Sequence, residues 1–402
     1  MKELFIKNHY QQKWIEKIST LEELFKSNSR LIDEQSEFPN EHIQALRDIG
    51  YTKLTLPKEY GGEGFNIYDA ILMQETLGSF DGSTALSIGW TLMCVGDLFE
   101  NKYWEQSKLE EFAVAVSKGA ITNRALSEYS TGAPIRGGRP QTTAKRNDNQ
   151  WIINGRKNYT SCAPELDYFI TTAWIEHEEK TGIFLIHKDL EGVSIDETWD
   201  SIAMSGTGSH DLVLNNVVVK ESDLVEIPDY SKGFKLSTWS LLIPATYLGI
   251  AQAARDYAIQ FANSHSPNSI KGTIAELPNV QTLIGEIEIE MASARSVLYG
   301  AAECYLSSKN QDSEVRNVEQ QLIQNAMNVA KYVTVNSAIN VVDKAMRVVG
   351  AKSLQRSNPL QRYYRDVRAG LHNPPMDNMT IQKLAETALT NERKDQSTII
   401  KV

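Results

Sequence analysis

The chain has 402 residues, 41% of them hydrophobic and 23% charged, with a formal net charge of -10. That composition can bury a large core, while the negative balance and dispersed Lys and Arg argue against nucleic acid or anionic membrane as partners. The opening MKELFIKNHYQQKW has no apolar signal core, no stretch is apolar enough to span a bilayer, and Cys94, Cys162 and Cys304 are too scattered for a disulfide framework or a zinc site; a cytoplasmic protein is expected.

In chain order, Trp14, Ile18, Leu21 and Leu24, then Ile43, Leu46 and Ile49, keep helical spacing. Pro57 and Gly61-Gly62 interrupt the pattern before a second helical block over 66–117. Near Ile121 the period shifts toward two. Gln141 to Lys145, Gln150 to Ile153, Tyr168 to Trp174, Gly182 to His187 and Asp211 to Val219 read as strands, and Asn154-Gly155 as a hairpin turn. Beyond Pro228 the helical period returns in blocks near 233–264, 276–307, 314–349 and 379–392, punctuated by Gly233, Pro267 and Gly350. The expectation is an α+β protein with an N-terminal helical domain over 1–118, a central β domain over 119–227 and a C-terminal helical domain over 228–402.

Four segments carry a family resemblance over nearly the whole chain. ALSEYSTGAP (Ala125 to Pro134) resembles the strand and loop written TEP, two residues, GSD in the acyl-CoA dehydrogenase superfamily. NGRKNYTSCA (Asn154 to Ala163) resembles its W-I-T segment, and AMSGTGSHD (Ala203 to Asp211) its turn before the last strand. RDVRAGLHNPPMDN (Arg365 to Asn378) resembles its C-terminal signature. The resemblance implies that superfamily's fold, with a central β-sandwich or barrel and a C-terminal four-helix bundle. It also implies a bound flavin, FAD or FMN, and a homotetramer.

Carried over residue by residue, the resemblance puts Ser127, Glu128 and Gly132 in the flavin-contacting loop, Tyr159 over the ring and Ser161 near its N5 edge. Read without the family, the same residues are a Ser and Gly-rich loop and an ordinary strand. The family's adenosine-end Gln corresponds to Arg347, and its Gly-Gly pair to Gly350-Ala351. Arg347 either pairs with a phosphate through its planar fork or closes a helix as a C-terminal cation. With no Arg or Phe in 265–281 to match the family's other FAD motif, FMN is as credible as FAD. In the GTGSH turn Ser205 replaces the family's Arg, and His210 is either part of the site or a turn histidine.

The departure with most consequence is at the base. A dehydrogenase of this family removes the substrate's α-proton with a Glu while hydride leaves for the flavin. Counting from Arg365 and Asp366, that Glu falls on Pro374, its alternative site falls near Trp239 and Ser240, and a third position used by relatives falls near Thr91. None is a base. Leu371-His372 matches the Leu-His of the superfamily's reduced-flavin monooxygenase branch, and an imidazole is the type of group that exchanges protons near neutrality; His372 is either that catalytic group or a helix cap.

Three functions follow as expectations. The first is a monooxygenase-like enzyme using reduced flavin and oxygen on a small apolar sulfur- or nitrogen-bearing substrate, served by a flavin reductase. The second is an FAD-dependent acyl-CoA dehydrogenase with an unidentified base, served by an electron-transfer flavoprotein. The third is a flavin-free binding protein.

Overall fold

Helix starts in the first half of the chain are set by short polar side chains that satisfy the first backbone N–H groups. In the computed structural model, which describes residues 2–131, 138–229, 237–309 and 313–399, Asn66 accepts from the N–H groups of Tyr68 and Asp69 and begins helix α4 (Ile67–Gly78). Asp69 returns a bond to the Asn66 N–H, closing a capping box. Asp81 opens helix α5 (Gly82–Asn101) the same way, through Thr84 N–H at 2.8 Å. Before these lie α1 (His9–Ser19), α2 (Glu22–Gln35) and α3 (Asn40–Asp48), and after them α6 (Gln106–Ser117). Nearly every residue of α4 and α5 is buried, which places the two helices inside this unit rather than on its surface.

The strands are β1 (Thr122–Ala125), β2 (Thr143–Asn147), β3 (Gln150–Thr160), β4 (Tyr168–Ile175), β5 (Lys180–His187), β6 (Val193–Asp196), β7 (His210–Lys220) and β8 (Leu224–Glu226). They form one mixed sheet in the order β6-β7-β3-β2-β4-β5-β8, with β1 pairing parallel to β4. The expected hairpin at Asn154-Gly155 is not there. Both residues lie inside β3, and the turn between β2 and β3 is Asp148-Asn149, with Asp148 at φ +51°. Gly155 serves close packing instead: a Cβ there would sit 2.3 Å from Thr142 Oγ1, and the β3–β7 register shifts beside it.

Residues 7–242 form one compact unit, so the first helices and the sheet share a core. Val95, Leu98 and Phe99 of α5 and Leu109, Phe112 and Val116 of α6 pack with Ile170 of β4 and Leu185 of β5. Residues 243–402 with the first six residues form the second unit. It holds α7 (Leu242–Ser264), α8 (Pro278–Ser308), α9 (Ser313–Val349), α10 (Pro359–Ala369) and α11 (Asp377–Ile399). Helix α10 adds to the four blocks expected from the period. Asn358 caps it through Leu360 N–H and Pro359 occupies its first position, but its face is written in Tyr and Arg, which hid its period. Phe5 stacks on Tyr299 of α8 at 4.7 Å between ring centroids, tying the chain's start to this unit. No helix among the described residues is long and apolar enough to cross a membrane.

Candidate functional site

The ends of β1 and β3 and the turn before β7 converge in the first unit. Asn123 on β1 donates from Nδ2 to Ser161 O at 3.0 Å, and Asn158 N–H donates to Ser127 O at 2.9 Å. Ser127, Glu128, Tyr159 and Ser161, chosen from separate segments, are therefore brought together. Gly132 lies outside the described residues.

Tyr159 sits at φ +55° with its ring 64% exposed, edge-on to Trp199 at 6.2 Å. The β3–β7 register slips between Lys157 and Thr160, and this breaks the inside-outside alternation so that Tyr159 alone turns out while its neighbours are buried. Beside it Ser161 is buried, with Oγ 2.8 Å from Ser209 Oγ, which is 2.8 Å from Thr207 Oγ1. Thr207 Oγ1 donates to Met204 O at 2.9 Å. A hydroxyl has one hydrogen to give. Thr207 spends its own on the carbonyl, so Ser209 donates to Thr207 and Ser161 donates to Ser209. The Ser161 proton is committed inward, and its oxygen is left as an acceptor.

Glu128 faces the protein. Its Oε1 accepts from Lys157 Nζ at 2.6 Å, Thr142 Oγ1 at 2.7 Å and Thr142 N–H at 3.1 Å; its Oε2 accepts from Gln141 N–H at 2.6 Å and Thr131 Oγ1 at 3.1 Å. Burial works to raise the carboxyl's pKa, but the Lys157 charge and these bonds outweigh it and hold the group at about 2. Lys157 is fully buried, and desolvation brings its ammonium down to about 8 against the pull of Glu128. Glu128 thus spends both oxygens within the protein and braces the loop on which Ser127 lies.

His210 opens β7, and its Nδ1 accepts Trp199 N–H at 3.1 Å. Burial lowers its pKa, which suits a neutral imidazole holding the turn.

The second unit carries the other three predicted residues. Arg347, in the last turn of α9, is exposed and pairs with Asp343 one turn back at 2.8 Å. Gly350 follows at φ +71° with open space where a Cβ would be. His372 lies in the connection from α10 to α11; its N–H donates to Ala369 O at 3.0 Å and its ring is exposed. The connection is anchored next door, where the buried Tyr247 hydroxyl donates to Asn373 Oδ1 at 2.5 Å. Pro374 stands two residues beyond His372, with no carboxylate between Asp366 and Asp377.

Sequence reading missed Lys157, Asn123, Thr207 and Ser209. A lysine within a run of strand residues was the available signal for the first, but its partner is 29 residues away. Glu100 was also missed: its Oε2 accepts the indole N–H of Trp239 at 2.6 Å. A carboxylate from α5 therefore meets the Trp239 indole, near the position where the resemblance implies the family's alternative base.

A flavin's fit is tested by what this patch leaves unpaired. Buried Asn123 Oδ1, Asn158 Oδ1 and Thr160 Oγ1 have no hydrogen-bond partner among the described residues, and they belong to the strand segments that carry the exposed Tyr159 ring and the Ser161 hydroxyl. A planar, polar-edged ring system suits that surface.

Three family models cover most of the chain: the acyl-CoA dehydrogenase N-terminal domain over 18–102, middle domain over 123–217 and C-terminal domain over 241–373. YdbM of Bacillus subtilis (strain 168), an acyl-CoA dehydrogenase by name, is 52% identical over 385 residues, covering 96% of this chain and 99% of its own. Butyryl-CoA dehydrogenase from Megasphaera elsdenii shares the fold at TM-score 0.83 and 19% identity, covering 96% of this chain and 99% of that one. Methanesulfinate monooxygenase from Pseudomonas fluorescens shares it at TM-score 0.80 and 21% identity, covering 94% and 97%. These matches run through the segments that build the site, and the chain belongs to the acyl-CoA dehydrogenase family of flavin-dependent oxidoreductases.

Proposed function

We propose that this enzyme joins reduced flavin and oxygen in a monooxygenase-like reaction on a small apolar substrate bearing sulfur or nitrogen. The observation that carries the reading is Pro374, which leaves the signature segment without the carboxylate that the family uses for α-proton removal. The flavin, when bound, supplies the electrons that activate oxygen.

The residues of this chain do the positioning and the proton work. Tyr159 offers its exposed ring as a platform, and Ser127 lies on the loop held by Glu128 and Lys157. Ser161, its own proton committed to Ser209, presents an acceptor, which complements the N5–H that only a reduced flavin carries. His372, exposed on a connection pinned by Tyr247 and Asn373, is the group proposed to hold or deliver a proton. Arg347 and Gly350 are proposed for a cofactor phosphate: Arg347 has only an exposed one-turn ion pair to give up, and Gly350 leaves room for close approach. FMN is proposed over FAD because the family's other adenosine-end motif is missing from 265–281. A flavin reductase is the proposed electron partner and a homotetramer the proposed assembly.

The test is to supply reduced flavin, oxygen-18 gas and a panel of organic sulfides and amines, and to examine the products by mass spectrometry. A labelled oxygen in a product is expected, with no anaerobic bleaching of the oxidised enzyme by acyl-CoA thioesters. Bleaching without label would reverse the reading. One observation favours the dehydrogenase alternative, in which electrons pass to an electron-transfer flavoprotein: Glu100 of α5 is a carboxylate hydrogen-bonded to the indole of Trp239, the residue near which the family's second base position falls. In that case Glu100→Gln would abolish bleaching. The flavin-free alternative is set aside by the family assignment.

A further inference from the structure

Arg124 on β1 is in register with Ile170 of β4, which is in register with Leu185 of β5, and both of these pack against α5 and α6. Residues opposite one another share a face, so Arg124 points to the helix side of the sheet. There its Nη2 donates to Asp97 Oδ2 of α5 at 2.7 Å. Asp97 is 5% exposed and spends its other oxygen on Ser237 Oγ at 2.6 Å and Asn101 Nδ2 at 3.0 Å. Both oxygens of the carboxylate are engaged. The guanidinium is only partly engaged: it is 34% exposed, and its remaining N–H donors meet no acceptor among the described residues. Glu226 of β8, in register with Ile183 on the same face, feels the Arg124 and Asp97 charges and accepts no hydrogen bond among the described residues. Burial raises its pKa despite Arg124. Glu100, Tyr103 and the buried thiol of Cys94 complete the surrounding charged and titratable groups, and Glu100 is occupied by Trp239. A guanidinium held on one side by a buried carboxylate and open on the other is a fork without its anion.

We propose that Arg124 is a specificity-determining residue that binds a planar oxoanion, a carboxylate, on a small substrate, with Asp97 fixing its orientation and Glu226 opposing a second negative charge. This rests on the flavin-edge reading of Ser127 and Ser161. Arg124 lies three residues before Ser127, a Cα separation of at most about 11 Å, which suits a small molecule anchored at one end and reacting at the other. A cation is disfavoured at the guanidinium because Arg124 has only donors and a positive charge to offer.

Isothermal titration of the oxidised, flavin-loaded protein with butyrate, cinnamate and their uncharged amides tests the proposal without any turnover. Binding is therefore readable whichever reaction the flavin performs. The wild type should bind at least one carboxylate roughly 10- to 100-fold more tightly than its amide, the worth of a charged hydrogen-bond pair. Arg124→Gln should erase that preference, with the double variant Arg124→Gln, Asp97→Asn as the check should the single one fold poorly. Glu226→Gln should strengthen carboxylate binding severalfold. Equal affinity for acid and amide, no binding by any of the four probes, or a preference that survives loss of Arg124 would overturn it.

Discussion

Two ion pairs in this chain use the same chemistry to opposite effect. Glu128 and Lys157 are buried, 29 residues apart in sequence, and their bonds fix the loop that carries Ser127. Arg347 and Asp343 are exposed, one helical turn apart, and hold nothing else in place. The first pair cannot open without leaving a charge in a dry interior; the second can exchange its partner for a phosphate or for water at little cost. The lesson is that the firm part of the site is where polar groups are used up, and the adaptable part is where they are only locally paired.

The largest effect should come from breaking the buried pair on one side. Glu128→Gln leaves Lys157 uncompensated and should cost about 3 to 5 kcal/mol in denaturant unfolding, with weaker flavin retention. Replacing both partners with apolar residues should recover much of the loss; failure to recover would mean that the pair's value lies in the loop bonds of Thr142 and Gln141. Acid should probe the same pair. Because the folded Glu128 titrates at about 2, below its ordinary value of 4.5, its contribution is full above about pH 4.5 and is lost as pH falls toward 2. That acid slope should be absent from Glu128→Gln.

A smaller effect is expected from Ser161→Ala, about 1 kcal/mol of stability through the lost bond to Ser209. Its sharper signature should be weaker affinity for reduced than for oxidised flavin, because the acceptor is what is removed. Equal weakening for both would break the proton-order argument. The smallest effect belongs to Arg347→Ala, within roughly 1 kcal/mol of wild type in the apo protein. A marked loss of flavin affinity with unchanged apo stability would show that its exposed ion pair is a resting position rather than its purpose.

Much of the fold was legible because period is a local property. The helical blocks and the strands at Tyr168 to Trp174 and Gly182 to His187 were read from residues that repeat every few positions. Asn154-Gly155 misled because a turn dipeptide states only what its backbone tolerates; Thr142, packed against it from just before β2, made a glycine necessary within β3. Ser127, Tyr159 and Ser161 could be nominated through family resemblance, whereas Lys157, Asn123 and Glu100 depend on partners far along the chain.

The amino-acid sequence alone determined the order of helix, sheet and helix, the family, and the loss of the Glu at Pro374, since each is written in neighbouring residues. Only the tertiary structure decided which way each polar group spends its hydrogen bonds. It turned Glu128 inward to Lys157, sent the Ser161 proton to Ser209 and left Arg124 open beyond Asp97. Donor and acceptor capacity belongs to each residue, but which capacity is left over after folding is set by distance, and distance across a sheet is not recorded in the order of the chain.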